Sequence, residues 1–438
     1  MKKLFYQLTG FNPKQHRLRT EFFAGFTTFF TMCYILAVNP QIMSSAGMDK
    51  GAVFSATILA AAVATLVMAF YAKQPLALAP GMGLNAFFAY TLVVNMGYTW
   101  QEALVAVFIE GIIFILLTIF KVREAIVNSV PTNLRYAISA GIGLFIGYIG
   151  LKNSGIIVGD PNELTTLGAW TPTALLTAIG ILLGCSLLAL RVPGALFYAI
   201  VAITLIGIPL GVTIIPEGFS PIALPTSIEP IAFKLDFGKL LSIDLNYYAA
   251  IFIMLFMDIF DTIGTLIGAA TSAGMVKKDG EIPRISHAMM ADAIGTTAGS
   301  LLGTSTVTTY AESSAGVVAG GRTGITSFTV AILFLAALFL SPLFMTIPAA
   351  ATACVLFLVG FLMLHPLKDI NLADPTEAVP CFITAFTMPL TSSISEGIAL
   401  GMIAYVIIKL FTRRQKDLSA VMYILAIFFI LRFIYTHH

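Results

Sequence analysis

The sequence predicts an all-α polytopic membrane protein of 14 transmembrane segments, built as a 7+7 inverted repeat. Three observations predict it. The 438-residue chain is 58% hydrophobic and only 11% charged, against about 25% charge in an ordinary soluble domain. Apolar runs of bilayer-spanning length recur from end to end. One long polar, Pro-rich stretch, 214–245, divides those runs into two sets of seven, and odd-numbered halves joined in this way enter the membrane with opposite orientations.

The first half carries apolar runs near 22–43, 52–72, 76–95, 101–120, 134–151, 172–190 and 194–213. The second carries 246–270, 287–303, 305–321, 324–341, 348–364, 376–391 and 395–411. A last run, 419–435, follows Arg413-Arg414-Gln415-Lys416 and reads either as an interfacial helix or as a fifteenth span. Residues 1–21 form a cytoplasmic N-terminus: Tyr6 to Glu21 has no apolar core, so no cleavable signal is expected. The distribution of basic residues tests the segmentation. Of the 24 Lys and Arg, only Lys50, Lys152, Lys234 and Lys239 fall in external loops and Arg432 in the last run. The others, including Lys121, Arg123, Arg135, Lys277, Lys278 and Arg284, fall on the cytosolic side.

The third segment of each half is broken by small residues and proline: Ala79-Pro80-Gly81-Met82-Gly83 in one, Gly303-Thr304-Ser305 through Gly320-Gly321 in the other. Broken helix at membrane depth frees backbone groups, which are tolerated only where they line a cavity. A matched pair of such breaks is the sequence mark of a transport site. Other chemistries find no support. There is no GxxxxGK[ST] for ATP and no HExxH for zinc. Cys33, Cys185, Cys354 and Cys381 stand far apart, without disulfide or metal-ligand spacing. Net charge is +2, which says nothing about partners; membrane lipid is the expected surrounding and no nucleic acid is expected.

Carboxylates within spans carry the functional signal. Asp258 and Asp261 sit in 246–270 and Glu312 in the second broken segment. Each costs at least about 3 kcal/mol at the bilayer centre if ionised and unpaired. On a helix, Asp258, Asp261, Thr262 and Thr265 fall within about 100° of one another, a polar stripe on an apolar rod. Thr304, Ser305, Thr306, Thr308, Thr309, Tyr310 and Ser313 surround Glu312 with hydroxyls. Few Lys or Arg are placed to pair with these acids, so desolvation drives a proton onto one or more of them. Asn85 offers an amide either to a ligand or to helix packing. Phe87, Phe88 and Tyr310 could stack on a flat ring, whereas Glu110 reads as structural. Acids and an amide without a basic side chain disfavour an anion and suit a planar heterocycle or a cation. Two alternatives are an anion transporter of similar fold and an intramembrane aspartyl protease. The second is opposed by the i,i+3 spacing of Asp258 and Asp261, because a proteolytic dyad needs acids facing each other.

Several strings then resemble a known family: Ala79-Pro80-Gly81-Met82-Gly83-Leu84-Asn85-Ala86, Phe260-Asp261-Thr262-Ile263-Gly264-Thr265-Leu266, and Thr304-Ser305-Thr306-Val307-Thr308-Thr309-Tyr310-Ala311-Glu312-Ser313 followed by Gly320-Gly321-Arg322-Thr323-Gly324. They are similar to the nucleobase–ascorbate transporter family (nucleobase–cation symporters), in its adenine–guanine–hypoxanthine permease branch. The resemblance implies short strands and half-helices in segments 3 and 10. It implies a core domain of segments 1–4 (22–120) and 8–11 (246–341), and a gate domain of segments 5–7 (121–213) and 12–14 (342–411) through which a homodimer could form. Residues 412–438 are left as an apolar tail. It also implies proton symport of a purine base by an elevator-like core movement in a bacterial cytoplasmic (inner) membrane. No cofactor is implied beyond the proton, which is expected over sodium as coupling ion. Asp261, Glu312, Asn85, Thr309, Tyr310 and Phe87 are then the expected substrate contacts, with Asp261, Asp258 and Glu312 handling the proton.

Overall fold

The computed structural model describes residues 2–120, 130–160, 164–216, 218–242, 244–272 and 284–436. Lys121, Arg123, Lys277 and Lys278, which carried part of the charge asymmetry, lie outside the described residues. Among those described, the chain is mostly helical, and nine helices are long and apolar enough to cross a membrane. Trp100–Ile119, at 20 residues, is one of them; at 1.5 Å per residue it extends about 30 Å, the depth of a hydrocarbon core. Its start is set by a capping box, in which Thr99 and Glu102 each accept from the other's backbone N–H.

Two helices are interrupted in ways that matter for the site. The first apolar run is Leu18–Met32 and then Ile35–Ser44, with the break at Cys33 and Tyr34. Tyr34 therefore sits at a bend rather than inside a continuous helix. The run after Lys50–Val67 widens into a π-helical turn, Met68–Ala72. Gly324, at the start of Gly324–Ala337, packs against that turn so closely that a Cβ would lie 2.0 Å from the Ala69 carbonyl oxygen. Only glycine fits there.

The two broken segments contain short strands: β1 (Leu78–Pro80) and, much later in the chain, β4 (Val307–Thr309). They pair antiparallel, Leu78 with Thr309, Ala79 with Thr308 and Pro80 with Val307. Each strand leads into a short helix, Met82–Ala86 and Ser313–Val318. The second sheet, β2 (Ile157–Asp160) with β3 (Leu164–Leu167), is a separate hairpin. Pro80 breaks the helix, and its missing N–H is harmless in a two-stranded ribbon. Gly81 lets the ribbon close, since a Cβ there would meet Thr308 Cγ2 at 2.5 Å.

The tail forms a helix, Ala420–Thr436, packed on Ile394–Phe411. Its course is fixed at both ends. Lys409, 1% exposed, pairs with Glu377 at 2.6 Å and with Asp417 at 3.0 Å, just before the tail begins. At the far end Arg432, 5% exposed, reaches Glu396 at 2.5 Å, Asn246 at 2.8 Å and Ser395 at 3.3 Å. Asp417 meets the last turn of Ile394–Phe411 and Arg432 meets its first, so the tail runs antiparallel along the whole helix. A helix lying flat at an interface would cross it instead.

Candidate substrate site

The β1–β4 ribbon holds unravelled backbone in the middle of the bundle, and its polar groups are paired. Thr65 Oγ1 donates to Leu78 O at 3.1 Å and accepts from Leu78 N at 3.0 Å. Ser313 Oγ accepts from Ala77 N at 3.0 Å, Tyr310 N donates to Ala77 O at 3.0 Å and Gly81 N donates to Thr306 O at 2.9 Å. The Tyr310 hydroxyl donates to Pro80 O at 2.6 Å. A ribbon satisfied from both sides is rigid, and it sets the positions of the acids next to it.

Glu312 immediately precedes the half-helix Ser313–Val318 and is half-buried. Its Oε1 accepts from the Tyr34 hydroxyl at 2.6 Å, so the bend in the first run supplies the partner. Asp261, in Leu245–Ser272, is exposed and accepts from Thr308 Oγ1 at 3.5 Å, the edge of hydrogen-bond range. The two acids are close enough to interact electrostatically. One comes from a helix and the other from the end of the ribbon, and both keep accessible surface, an opening beside the ribbon. No ion pair of a described Lys or Arg involves either.

The expected residues fall into two shells. Asn85 is fully buried; its Oδ1 accepts a very short hydrogen bond from Ser305, and its Nδ2 lies 3.4 Å from Pro80 O. It ties one half-helix to the segment before β4. Phe87 is likewise fully buried and has no face to offer a ligand in this conformation. Thr309, 2% exposed, donates to Asp292 at 3.0 Å. Tyr310 is 5% exposed. These four side chains are buried, while Asp261 and Glu312 keep accessible surface.

The single polar stripe expected on 246–270 divides in two. Asp258 is completely buried, whereas Asp261 is exposed. Three residues at 100° leave them about 60° apart, enough to put one against Ile285–Leu302 and the other on the opening. A basic group also lies nearer than the sequence implied: the Arg135 guanidinium sits over the Phe260 ring, 5.6 Å from its centroid, one residue from Asp261. Tyr34 and Asp292 were missed by sequence reasoning. Tyr34 gives no signal of its own in an aromatic-rich chain. Asp292 did give one, an acid inside the run 287–303, but its neighbours Ala291 and Ala293 lack the hydroxyls that marked out Glu312.

Comparison with known proteins decides the class. Residues 19–400 match the family model Xan_ur_permease, described as the Permease family. The chain belongs to the nucleobase–ascorbate transporter family of permeases. It is 50% identical to "Putative permease MJ0326" of Methanocaldococcus jannaschii, with 95% of each chain covered. It is 44% identical to "Adenine permease AdeP" of Escherichia coli, over 95% of this chain and 93% of that one. To "Guanine/hypoxanthine permease PbuO" of Bacillus subtilis it is 43% identical, over 96% and 98%. The permease is thus an integral membrane transporter and not an enzyme, which removes the protease alternative. Among solved structures, the transmembrane domain of the cyanobacterial bicarbonate transporter BicA superposes with a TM-score of 0.65 at 16% identity, covering 86% of this chain and 97% of that one. SLC26A9 gives 0.64 at 12%, covering 94% and 69%. At such identities the likeness is one of fold.

Proposed function

We propose that the permease imports purine nucleobases by proton symport, with the core (22–120 and 246–341) moving elevator-like against the gate (121–213 and 342–411). The observation carrying this reading is the pair Asp261 and Glu312, two carboxylates at one opening with no ion-paired cation among the described residues. Such a pair accepts hydrogen bonds from the ring N–H and amino groups of a purine and repels an anion. The relatives named adenine and guanine/hypoxanthine permeases support the same substrate class. The paired short strands, each leading into a half-helix, support a 14-segment inverted repeat with the site at its centre. The exposed aromatics Phe382 and Phe386, stacked at 5.0 Å on the gate, suit lipid or a second copy of the chain.

The test is uptake of radiolabelled adenine, guanine and hypoxanthine into proteoliposomes with and without an inward proton gradient. At least one base should accumulate, and a protonophore should collapse the accumulation. Uptake of none of the three would sink the substrate assignment.

Orientation belongs to the same proposal: N-terminus in the cytoplasm of a bacterial inner membrane, with Ala420–Thr436 as a fifteenth crossing. Its antiparallel course beside Ile394–Phe411 supports that crossing. Reporters fused to the two termini should then read opposite sides of the membrane. Reporters reading the same side would return the tail to the interface.

A further inference from the structure

Behind the opening lies a second set of acids. Glu110 from Trp100–Ile119, Asp258 from Leu245–Ser272 and Asp292 from Ile285–Leu302 are each completely buried. They lie close enough together to interact electrostatically, Asp258 with both Glu110 and Asp292. Their surroundings are apolar: Ala60, Ala64, Phe114, Leu255, Ile259 and Ala293 belong to one packed cluster here. Among the described residues, the hydroxyls that reach them are Thr306, donating to Glu110 Oε2 at 2.8 Å, Thr309, donating to Asp292 Oδ1 at 3.0 Å, and Thr262, 2.8 Å from Asp292 Oδ2 and 3.4 Å from Asp258 Oδ1. Two oxygens are left over. Asp258 Oδ2 and Glu110 Oε1 are buried, and no N–H or O–H of the described residues reaches them.

A carboxylate oxygen buried without a donor is costly, and charge makes it worse. Two full negative charges about 4 Å apart repel by about 4 kcal/mol even at an effective dielectric of about 20. No basic residue relieves this, since no ion pair of a described Lys or Arg involves the three acids. The neighbouring Lys50–Val67 brings only apolar and hydroxyl side chains to the region. The other titratable groups nearby are Asp261, with Glu312 and Tyr310 beyond it. A proton held by one of these acids removes a negative charge and supplies a donor without adding a side chain, as in paired acids that share one proton.

The cluster is also wired to the opening. Asp261 contacts Thr308 Oγ1 at 3.5 Å, Thr308 Oγ1 contacts Thr262 Oγ1 at 3.0 Å, and Thr262 Oγ1 contacts Asp292 Oδ2 at 2.8 Å. With Asp261 protonated, Asp261 donates to Thr308, Thr308 to Thr262 and Thr262 to Asp292, all in one sense. A proton arriving on Thr308 then displaces that hydroxyl's own proton to Thr262, and Thr262's proton passes to Asp292. One proton leaves Asp261, one appears on Asp292, and each threonine ends neutral. The first link is the longest, so a small rotation of Asp261 makes or breaks the wire.

We propose that Glu110, Asp258 and Asp292 form a proton-holding site that exchanges its proton with Asp261 through Thr308 and Thr262. The wire and the store let Asp261 return to the carboxylate form that binds a base while the transported proton stays in the moving core. This rests on the proton-symport reading above, and it gives Glu110 a task in place of the structural one its sequence context suggested.

The test uses the full-length protein and two readouts. In proteoliposomes containing a pH-sensitive dye, radiolabelled adenine, guanine or hypoxanthine is followed with lumen pH. Glu110→Gln and Asp292→Asn should lose gradient-driven accumulation and base-linked acidification far more than equilibrium exchange. Thr262→Val, which leaves all three acids in place, should slow accumulation in the same selective way. Independently, infrared spectra of the purified protein at neutral pH should show a protonated-carboxyl band, retained in Thr262→Val and diminished in Glu110→Gln. That band needs no transport and no substrate, so it decides the proposal even if no purine is carried or a variant fails to reconstitute. Absence of the band in the wild type would overturn the proton-holding site. Wild-type proton movement per base in Glu110→Gln and Asp292→Asn would do the same, as would uptake driven by sodium instead of protons.

Discussion

Asp261→Asn is expected to bind a purine base yet fail to concentrate it. The substitution keeps the side chain's size and one acceptor oxygen, so a ligand still finds the opening. What it removes is the ability to take up a proton, and with it the link between base movement and the gradient. Loss of one hydrogen bond to a charged group is worth about 1.5–3 kcal/mol, so affinity should fall by about 10- to 150-fold. Accumulation should disappear altogether, leaving only equilibration. Glu312→Gln should behave differently. Glu312 is held by the Tyr34 hydroxyl at 2.6 Å, so its neutral replacement weakens a charge-assisted bond and loosens the bend at Cys33 and Tyr34 as well. Binding should suffer more than coupling there. Direct binding of labelled base to purified protein, set beside uptake at matched protein density, separates the two effects. Undiminished uphill uptake by Asp261→Asn would end the proton-carrier role of that residue.

Much of this layout is legible in the sequence, and the reason is the solvent. A bilayer demands long apolar runs and punishes isolated charge, so span positions and within-span acids stand out from a single chain. The runs at 52–72, 172–190 and 395–411 match Lys50–Ala72, Pro172–Ala189 and Ile394–Phe411 within a few residues. The breaks at Pro80-Gly81 and around Thr304-Ser305 mark the ribbon because proline and glycine act locally. Partner choice is not local. That Tyr34 holds Glu312 depends on a bend in one run and on a residue 278 positions later, just past a strand, and no periodicity in either segment reports it. The division between Asp258 and Asp261 depends on which neighbour covers each face of the helix. The same limit applies to Glu110, whose partners Thr306, Asp258 and Asp292 all come from the other half of the chain.

The junction that holds the first run to the core gives the largest expected loss of stability. Glu21, 1% exposed at the start of Leu18–Met32, accepts from Thr326 Oγ1 at 2.6 Å, from Arg322 N at 3.2 Å and from Thr323 N at 3.3 Å. It thus places an anion at the N-terminus of Gly324–Ala337, where unpaired N–H groups and the helix dipole favour one. The same junction includes the close approach of Gly316 to the first run, where a Cβ would meet the Ala24 carbonyl oxygen at 2.6 Å. Little room is left for water to replace a missing carboxylate. Glu21→Ala leaves these donors buried without an acceptor, at about 1–3 kcal/mol for each one that finds no substitute. Glu21→Gln retains one acceptor oxygen and the packing, so it should lose less. Thermal unfolding in detergent should rank wild type above Glu21→Gln and Glu21→Ala lowest. Transport by Glu21→Ala should fall with the folded fraction, because the carboxylate's partners are Arg322, Thr323 and Thr326 and not the acids at the opening. If Glu21→Ala melts with the wild type, the first run is held by apolar contact alone and the position of Tyr34 over Glu312 needs another anchor.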